Sequence, residues 1–497
     1  MMHRYKRTIA WLILVFLFFI AAGCKSRETF SGQEPTITPS IGRFMKEIDS
    51  GPVQGGTLAL PITAVDTLNP YQTKDRYVYY MACLIVESLF VWTGEGKVEP
   101  WLVQTWETQD ATIWTFQLKE GVSFHHGSFL SAYDVKYSLE LLANSENPFY
   151  NTDICENIAQ INVINSNLFE IALKTPDSSL PDKLTFPILS RSQEGKADTA
   201  ASLSGTGPYQ LDSVSDTQVK LKRFEAWWID KPAHLEAIVF KVYPETEMLD
   251  AFQNHEVDTA FVKNVDFTKY QHRNDLNYQV FPDNQGNFIY VNPNSLFGQS
   301  NRQDALFRYI SSRLYDMNLG QVQYFDEYSE SPLDTEGFRE ALVQTGLYWD
   351  EIQKAFFWRG SPLGSVSIIV PKQDIQKLHT ANFLVNILQD VGIKATIHQT
   401  QNAQEVKRAI RNGGYDLSPV SEEIKPWEKL EATLQRVQEE LGYGRENSYI
   451  LPLYRNQQAI LYRNSIRGEK NAFFWNPYQG IESWYLPILV ESSLDGS

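Results

Sequence analysis

The run Trp114-Thr115-Phe116-Gln117-Leu118-Lys119-Glu120-Gly121-Val122 leads through Phe124-His125-His126-Gly127 into Ala132-Tyr133-Asp134-Val135, and this stretch decides the fold class. Ile113 to Leu118 alternates apolar and polar residues with a period of two, as a half-buried strand does. Ser131 stands where a helix would begin, and Asp134, three residues later, completes a capping box. Val135, Leu139 and Leu142 then recur at helical spacing. A strand thus hands the chain to a capped helix. His125 and His126 fall between them; adjacent side chains point in different directions, so the pair reads as turn residues and not as a shared metal site.

Working outward, the same α/β material continues on both sides. Gly55-Gly56-Thr57-Leu58-Ala59-Leu60 reads as a strand opening after a glycine turn, and Arg76 to Trp92 is long and apolar enough for a buried helix. Ile158 to Ile164 and Leu168 to Leu173, joined by Asn165-Ser166-Asn167, predict a hairpin. Ala381 to Val391 carries Leu384, Leu388 and Val391 on one helical face. Leu430, Leu434, Val437 and Leu441 mark another amphipathic helix, with Pro426 near its start. No repeat of fixed period is present.

The N-terminus sets the compartment. Arg4, Lys6 and Arg7 precede an unbroken apolar run, Ile9 to Ala22. A comfortable membrane span needs about 20 residues, so this shorter run fits the core of a secretory signal. Ala21, Ala22 and Gly23 before Cys24 resemble a bacterial lipobox, with Ala21 in place of the usual leucine. Residues 1–23 are therefore expected to be a lipoprotein signal peptide and Cys24 the lipid attachment point. An uncleaved anchor with an incidental cysteine is the alternative. Residues 24–53, rich in Ser, Thr, Pro and Gly, read as a flexible tether outside the fold. On either reading, the bulk of the chain lies beyond the cytoplasmic membrane.

About 440 residues remain, enough for two or three lobes. The hydrophobic content of 43% indicates a packed protein. A formal charge of −16, which becomes −19 without the signal's three positive charges, excludes nucleic acid as a natural partner, because phosphates require a basic surface. Cys83 and Cys155 could form one disulfide, but buried free thiols are the simpler reading. Neither C-x-x-C pairs nor a histidine cluster points to a metal, and no cofactor is implied. Hydrolase elbows, zinc helices, P-loops and dinucleotide fingerprints are likewise missing, so an enzyme is not expected.

From Gly55 onward, ordered blocks carry a resemblance. Gly56-Thr57-Leu58, then Asp66-Thr67-Leu68-Asn69-Pro70-Tyr71, Glu87-Ser88-Leu89-Phe90 and Val98-Glu99-Pro100-Trp101-Leu102 come first. Trp106, the stretch quoted above, Gly205-Thr206-Gly207-Pro208-Tyr209, Trp227-Trp228, Pro232, Leu235 and Glu256-Val257-Asp258 follow. Weaker echoes run through Arg302-Gln303-Asp304-Ala305-Leu306, Tyr415-Asp416-Leu417 and Leu451-Pro452-Leu453-Tyr454. Together, over roughly 55 to 490, they resemble the extracellular solute-binding protein family 5, the peptide and nickel binders of ABC importers. His126 and Tyr133 stand where that family usually carries acidic residues.

The resemblance implies an α/β, two-lobed periplasmic-binding-protein fold (class II, cluster C), with an extra subdomain on the first lobe. It implies lobe I over 54–290 with the insertion at about 86–200, lobe II over 291–455, and a return to lobe I over 456–497. After Tyr415-Asp416-Leu417 the chain enters the amphipathic helix almost at once, where the family has a tryptophan-rich acidic segment, so a trimmed second lobe is expected. The family's acidic anchor for a peptide amino group therefore does not carry over; Glu422 or Glu423 is a substitute only if not simply solvated. The loop Asp66, Thr67, Leu68, Asn69 and Tyr71 is the first candidate cleft wall, and Tyr290 and Asn292 are the second. The partners implied are a peptide or other small solute, ABC permease subunits and a lipid anchor, for a monomeric chain. Capture of a nickel chelate or oligosaccharide, or a lipoprotein repurposed as sensor or assembly factor without transport, are the alternatives.

Overall fold

The computed structural model describes residues 44–48, 51–93, 97–195, 203–263, 266–320, 322–325, 331–441 and 449–492. The signal segment and Cys24 lie outside the described residues. Within the stretch expected to be a tether, Phe44–Ile48 is a strand paired with Ile488–Ser492.

The first lobe is built on a four-stranded sheet in the order Thr57–Ile62, Ala237–Val242, Gln218–Arg223, Tyr209–Val214. Leu58, Leu60 and Ile62 bury one face, as period-two alternation requires. A second sheet of four antiparallel strands runs in the order Val103–Thr108, Ile113–Leu118, Leu168–Leu173, Ile158–Val163. The expected hairpin is its outer pair. Phe116 and Phe169, facing across strands, stack at 5.3 Å. Helix Ala132–Leu142 begins as the sequence predicts: the Asp134 carboxylate accepts the Ser131 N–H at 2.8 Å. The preceding histidines do form a turn, in which Gly127 takes φ +94°.

One predicted helix is cut short. Arg76–Ala82 is helical, but the chain then turns and Phe90–Trp92 becomes a strand. The reason is tertiary: the Leu84 and Ile85 carbonyls, which a continuing helix would spend internally, accept the N–H groups of Tyr209 and Gly207 at 3.2 and 2.9 Å. Backbone pairing with a distant segment overrides the local apolar pattern.

The second lobe is a doubly wound unit. Val366–Pro371 lies between Ala395–Thr400 and Leu417–Glu423, parallel to both. Helix Ile375–Asp390 covers the face of Ile368 and Val370, while helix Ala403–Asn412 packs Val406 and Ile410 with Ile369 on the other. Two long strands, Leu276–Val291 and Ile450–Arg463, join the lobes antiparallel to one another. Phe281, Ile460 and Tyr462 belong to the first lobe's core; Ile289, Leu451 and Leu453 belong to the second. Between those cores the pairing shifts register, from Pro282↔Gln457 to Gly286↔Arg455. An irregularity there concentrates bending where the chain changes lobes.

Candidate functional site

Ligands of open α/β sheets bind beyond the carboxyl ends of the strands, where successive helices take opposite faces. The second lobe offers such a crevice. A cavity of ≈ 1190 Å³ lies at the ends of Val366–Pro371 and Ala395–Thr400, beneath the first turns of the two helices that follow. Asp374 caps the first helix, accepting the Lys377 N–H at 3.0 Å, and Asn402 caps the second, accepting the Glu405 N–H at 3.0 Å. Asn456 enters from the crossing strand, and Asp266 reaches in from the far side.

The lining is rich in carboxamides: Gln373, Gln376, Gln401, Asn402 and Asn456. Such groups both donate and accept, so they suit a polar solute with alternating donors and acceptors. Two of them are already oriented. Gln376 Nε2 donates to Asn456 Oδ1 at 2.6 Å, and Asn456 Nδ2 returns a bond to Gln376 Oε1 at 3.3 Å. Burial raises the Asp374 carboxyl, but the Lys377 ammonium at 2.9 Å and the helix N–H groups outweigh it and hold the carboxyl below its ordinary value. At the crossing, burial pushes Asp283 up to about 6, opposed by the Gln285 N–H and by Arg455, Lys263 and Arg76. The Arg455 guanidinium donates to the Asp283 carbonyl, bracing the register shift.

The segment after the last of these strands touches the first lobe. After Leu417–Glu423 the chain passes directly into helix Leu430–Glu440. In between, Lys425 Nζ bonds Glu423 Oε2 at 2.5 Å and reaches Pro148 O of the first lobe at 3.4 Å. Glu422 pairs with Lys407 at 3.3 Å. Both acids considered as ammonium anchors are thus engaged by lysines of this chain.

The loop and strand residues singled out from sequence sit elsewhere. Asp66 accepts the Thr67 and Lys74 N–H groups and the Thr73 hydroxyl at 2.8, 3.0 and 2.8 Å. Thr67 Oγ1 and Asn69 Oδ1 hold the next turns, each at 3.0 Å, and Leu68 packs on the core. Tyr71 is buried, its hydroxyl donating to Pro187 O. Tyr290 is buried with its ring 6.0 Å from Tyr415. Asn292 Nδ2 donates to the carbonyls of Tyr415 and Gly413 at 2.6 and 3.1 Å. None of these residues is among those lining the cleft cavity. The residues that do line it were foreshadowed only by a pattern: an Asx cap shortly after a strand, at Asp374 and again at Asn402.

His125 is held in a structural turn. His125 Nδ1 accepts the Gly205 N–H at 3.2 Å, so Nε2 donates to Gly207 O at 3.0 Å. Burial pushes the ring down to about 4. An imidazole that unfolds to about 6.5 and folds to about 4 stabilises the neutral form, so stability is full above pH 6.5 and is lost as pH falls towards 4. The expected loss is on the order of 2–3 kcal/mol. Urea titrations at several pH values should show a flatter acid limb for His125→Gln than for the parent; identical limbs would refute the assignment. Cys83 and Cys155 are free thiols.

Two α/β lobes joined by antiparallel crossing strands, with a polar crevice at the joint, define a periplasmic-type solute-binding protein. The chain belongs to the bacterial extracellular solute-binding proteins, family 5 Middle, whose family model matches residues 97–345, half of the chain. It is 28% identical over 204 residues to the glutathione-binding protein GsiB of Salmonella typhi, a match covering 39% of this chain and 40% of that one. In fold it is similar to HbpA2 from Haemophilus parasuis, with a TM-score of 0.69 at 16% identity, covering 87% of this chain and 100% of that one. NikA from Brucella suis, solved with Fe(III)-EDTA, superposes with a TM-score of 0.64 at 18% identity over 87% and 100% of the two chains.

Proposed function

We propose that the protein captures a small polar solute, a peptide foremost, between its lobes and delivers it to an ABC permease. In this reading it acts as a monomer held at the outer face of the cell membrane through lipidated Cys24. The observation that carries it is the carboxamide-lined cavity of ≈ 1190 Å³ beside the crossing strands. A peptide backbone presents alternating N–H and C=O groups that such a lining matches, with water filling the remaining space. A solute touching both lobes favours their closed arrangement, and that population shift is what a permease would read.

A thermal-shift screen of the protein against di- to pentapeptides, nickel chelates and oligosaccharides tests this. Binding to the folded state alone must raise the melting temperature. Peptides are expected to raise it, and Asn456→Ala or Gln376→Ala to weaken binding roughly five- to tenfold, the worth of one lost hydrogen bond. No rise with any peptide would overturn the peptide reading.

A further inference from the structure

A second cavity, of ≈ 180 Å³, lies wholly within the first lobe, between Glu87–Trp92 and the returning segment Lys470–Glu482. Its walls include Trp92, Trp101, Trp227, Phe473 and Trp475. Three of the four indole N–H groups are already spent: Trp92 donates to Thr185 Oγ1 at 3.2 Å, and Trp101 and Trp227 donate to Glu87 Oε1 at 2.8 and 3.2 Å. What these rings leave for the cavity is carbon and π surface.

Glu87 offers the cavity no free acceptor. Its other oxygen takes the Trp228 indole at 2.8 Å and the Thr206 hydroxyl at 2.7 Å, so both oxygens carry two donors each. Among the described residues no lysine or arginine forms an ion pair with it. The neighbouring cation, Lys119, sits instead over the rings of Trp228 and Trp101, at 4.8 and 5.8 Å. The outer side of this tryptophan cluster thus already holds one ammonium by its π faces. Two buried polar atoms of the cavity lining lack a hydrogen-bond partner, Asn476 Oδ1 and the Tyr478 hydroxyl; of these, Asn476 Oδ1 can only accept.

We infer that this cavity binds a small methylated ammonium carrying one hydroxyl or N–H donor, a choline-like cation, independently of the cleft. A cation with methyls in place of N–H groups needs π faces, not acceptors, and the tryptophan wall provides them; the one lysine of the lining, Lys470, is paired with Glu482 at 3.5 Å. The single donor would meet Asn476 Oδ1, giving a buried acceptor its missing partner.

Tryptophan fluorescence and calorimetric titration of the whole protein test this with three probes: choline, tetramethylammonium and the neutral isostere 3,3-dimethylbutan-1-ol. Choline should bind most tightly, tetramethylammonium less, and the neutral alcohol roughly tenfold or more below choline, the worth of a desolvated cation–π contact. Trp92→Leu should weaken both cations by a similar factor, and Asn476→Leu should weaken choline more than tetramethylammonium. Trp92 is half-exposed, and melting curves of both variants establish that they fold. Equal affinity for choline and its neutral isostere, no binding of either cation, or choline binding unchanged in both folded variants would each overturn the inference.

Discussion

Replacing Glu87 with glutamine is expected to lower the free energy of unfolding by about 1–3 kcal/mol, the cost of one orphaned buried donor. The carboxylate is 7% exposed and accepts from Trp101, Trp227, Trp228 and Thr206. An amide whose nitrogen faces Trp101 and Trp227 aims a donor at two donors; turned the other way, it can donate to the rotatable Thr206 hydroxyl and leaves only the Trp228 N–H without a partner. Glu87→Ala removes all four bonds and opens a hole besides, so it should cost more still. Thr206→Val removes only one donor and should be the mildest of the three. Burial pushes the Glu87 carboxyl up to about 7, while the four donors pull it back. Because the folded form then holds its proton more tightly than the unfolded chain, this group's contribution falls as pH rises from about 4.5 towards 7. The glutamine variant should lack that component. Urea midpoints of parent and variant within error of each other would refute the network.

Gly205→Ala is expected to be at least as severe. A Cβ there would stand 1.9 Å from Ile85 O and 2.6 Å from Ile85 C. Both obstacles are backbone, so no side chain can swing aside. The Gly205-Thr206-Gly207 segment must lie flat on Leu84–Val86 for Gly207 to reach Ile85 O and for His125 to donate its N–H to Gly205 O at 2.9 Å. Pushing the segment away also draws Thr206 off Glu87. A loss of about 3 kcal/mol or more is expected, typical of overpacking that breaks a buried network. Gly364→Ala is the control, since nothing lies within 4 Å of a Cβ there. The Gly205 variant should melt well below the parent while the Gly364 variant melts with it; coincident curves would show that the two segments are not in fixed contact.

Much of the fold was legible because its signals are local. The alternation of Ile113–Leu118, the Ser131/Asp134 cap and the Asn165-Ser166-Asn167 turn each depend on residues within one turn or one strand of each other. Helix Ile375–Asp390 contains the predicted apolar stripe, starting a turn and a half earlier at the Asp374 cap. The loop Asp66 to Tyr71, expected as a cleft wall, is held as a turn by its own side chains. Whether Asn69 faces solute or its own backbone depends on what packs around it.

The sequence by itself determined the alternation of strands and helices, the capped starts, and an acidic chain with the ordered blocks of its family, because propensity and periodicity act over a few residues. Only the tertiary structure decided where the Arg76 helix stops, since the carbonyls that end it bond residues Gly207 and Tyr209. It alone gathered four donors, 14 to 141 positions away in sequence, around Glu87. It alone brought Gln376 and Asn456 together, 80 positions apart, on the cleft floor. Sites built from such distant residues carry no local signature, because the free energy that assembles them comes from burying the two lobes' cores and not from the segments themselves.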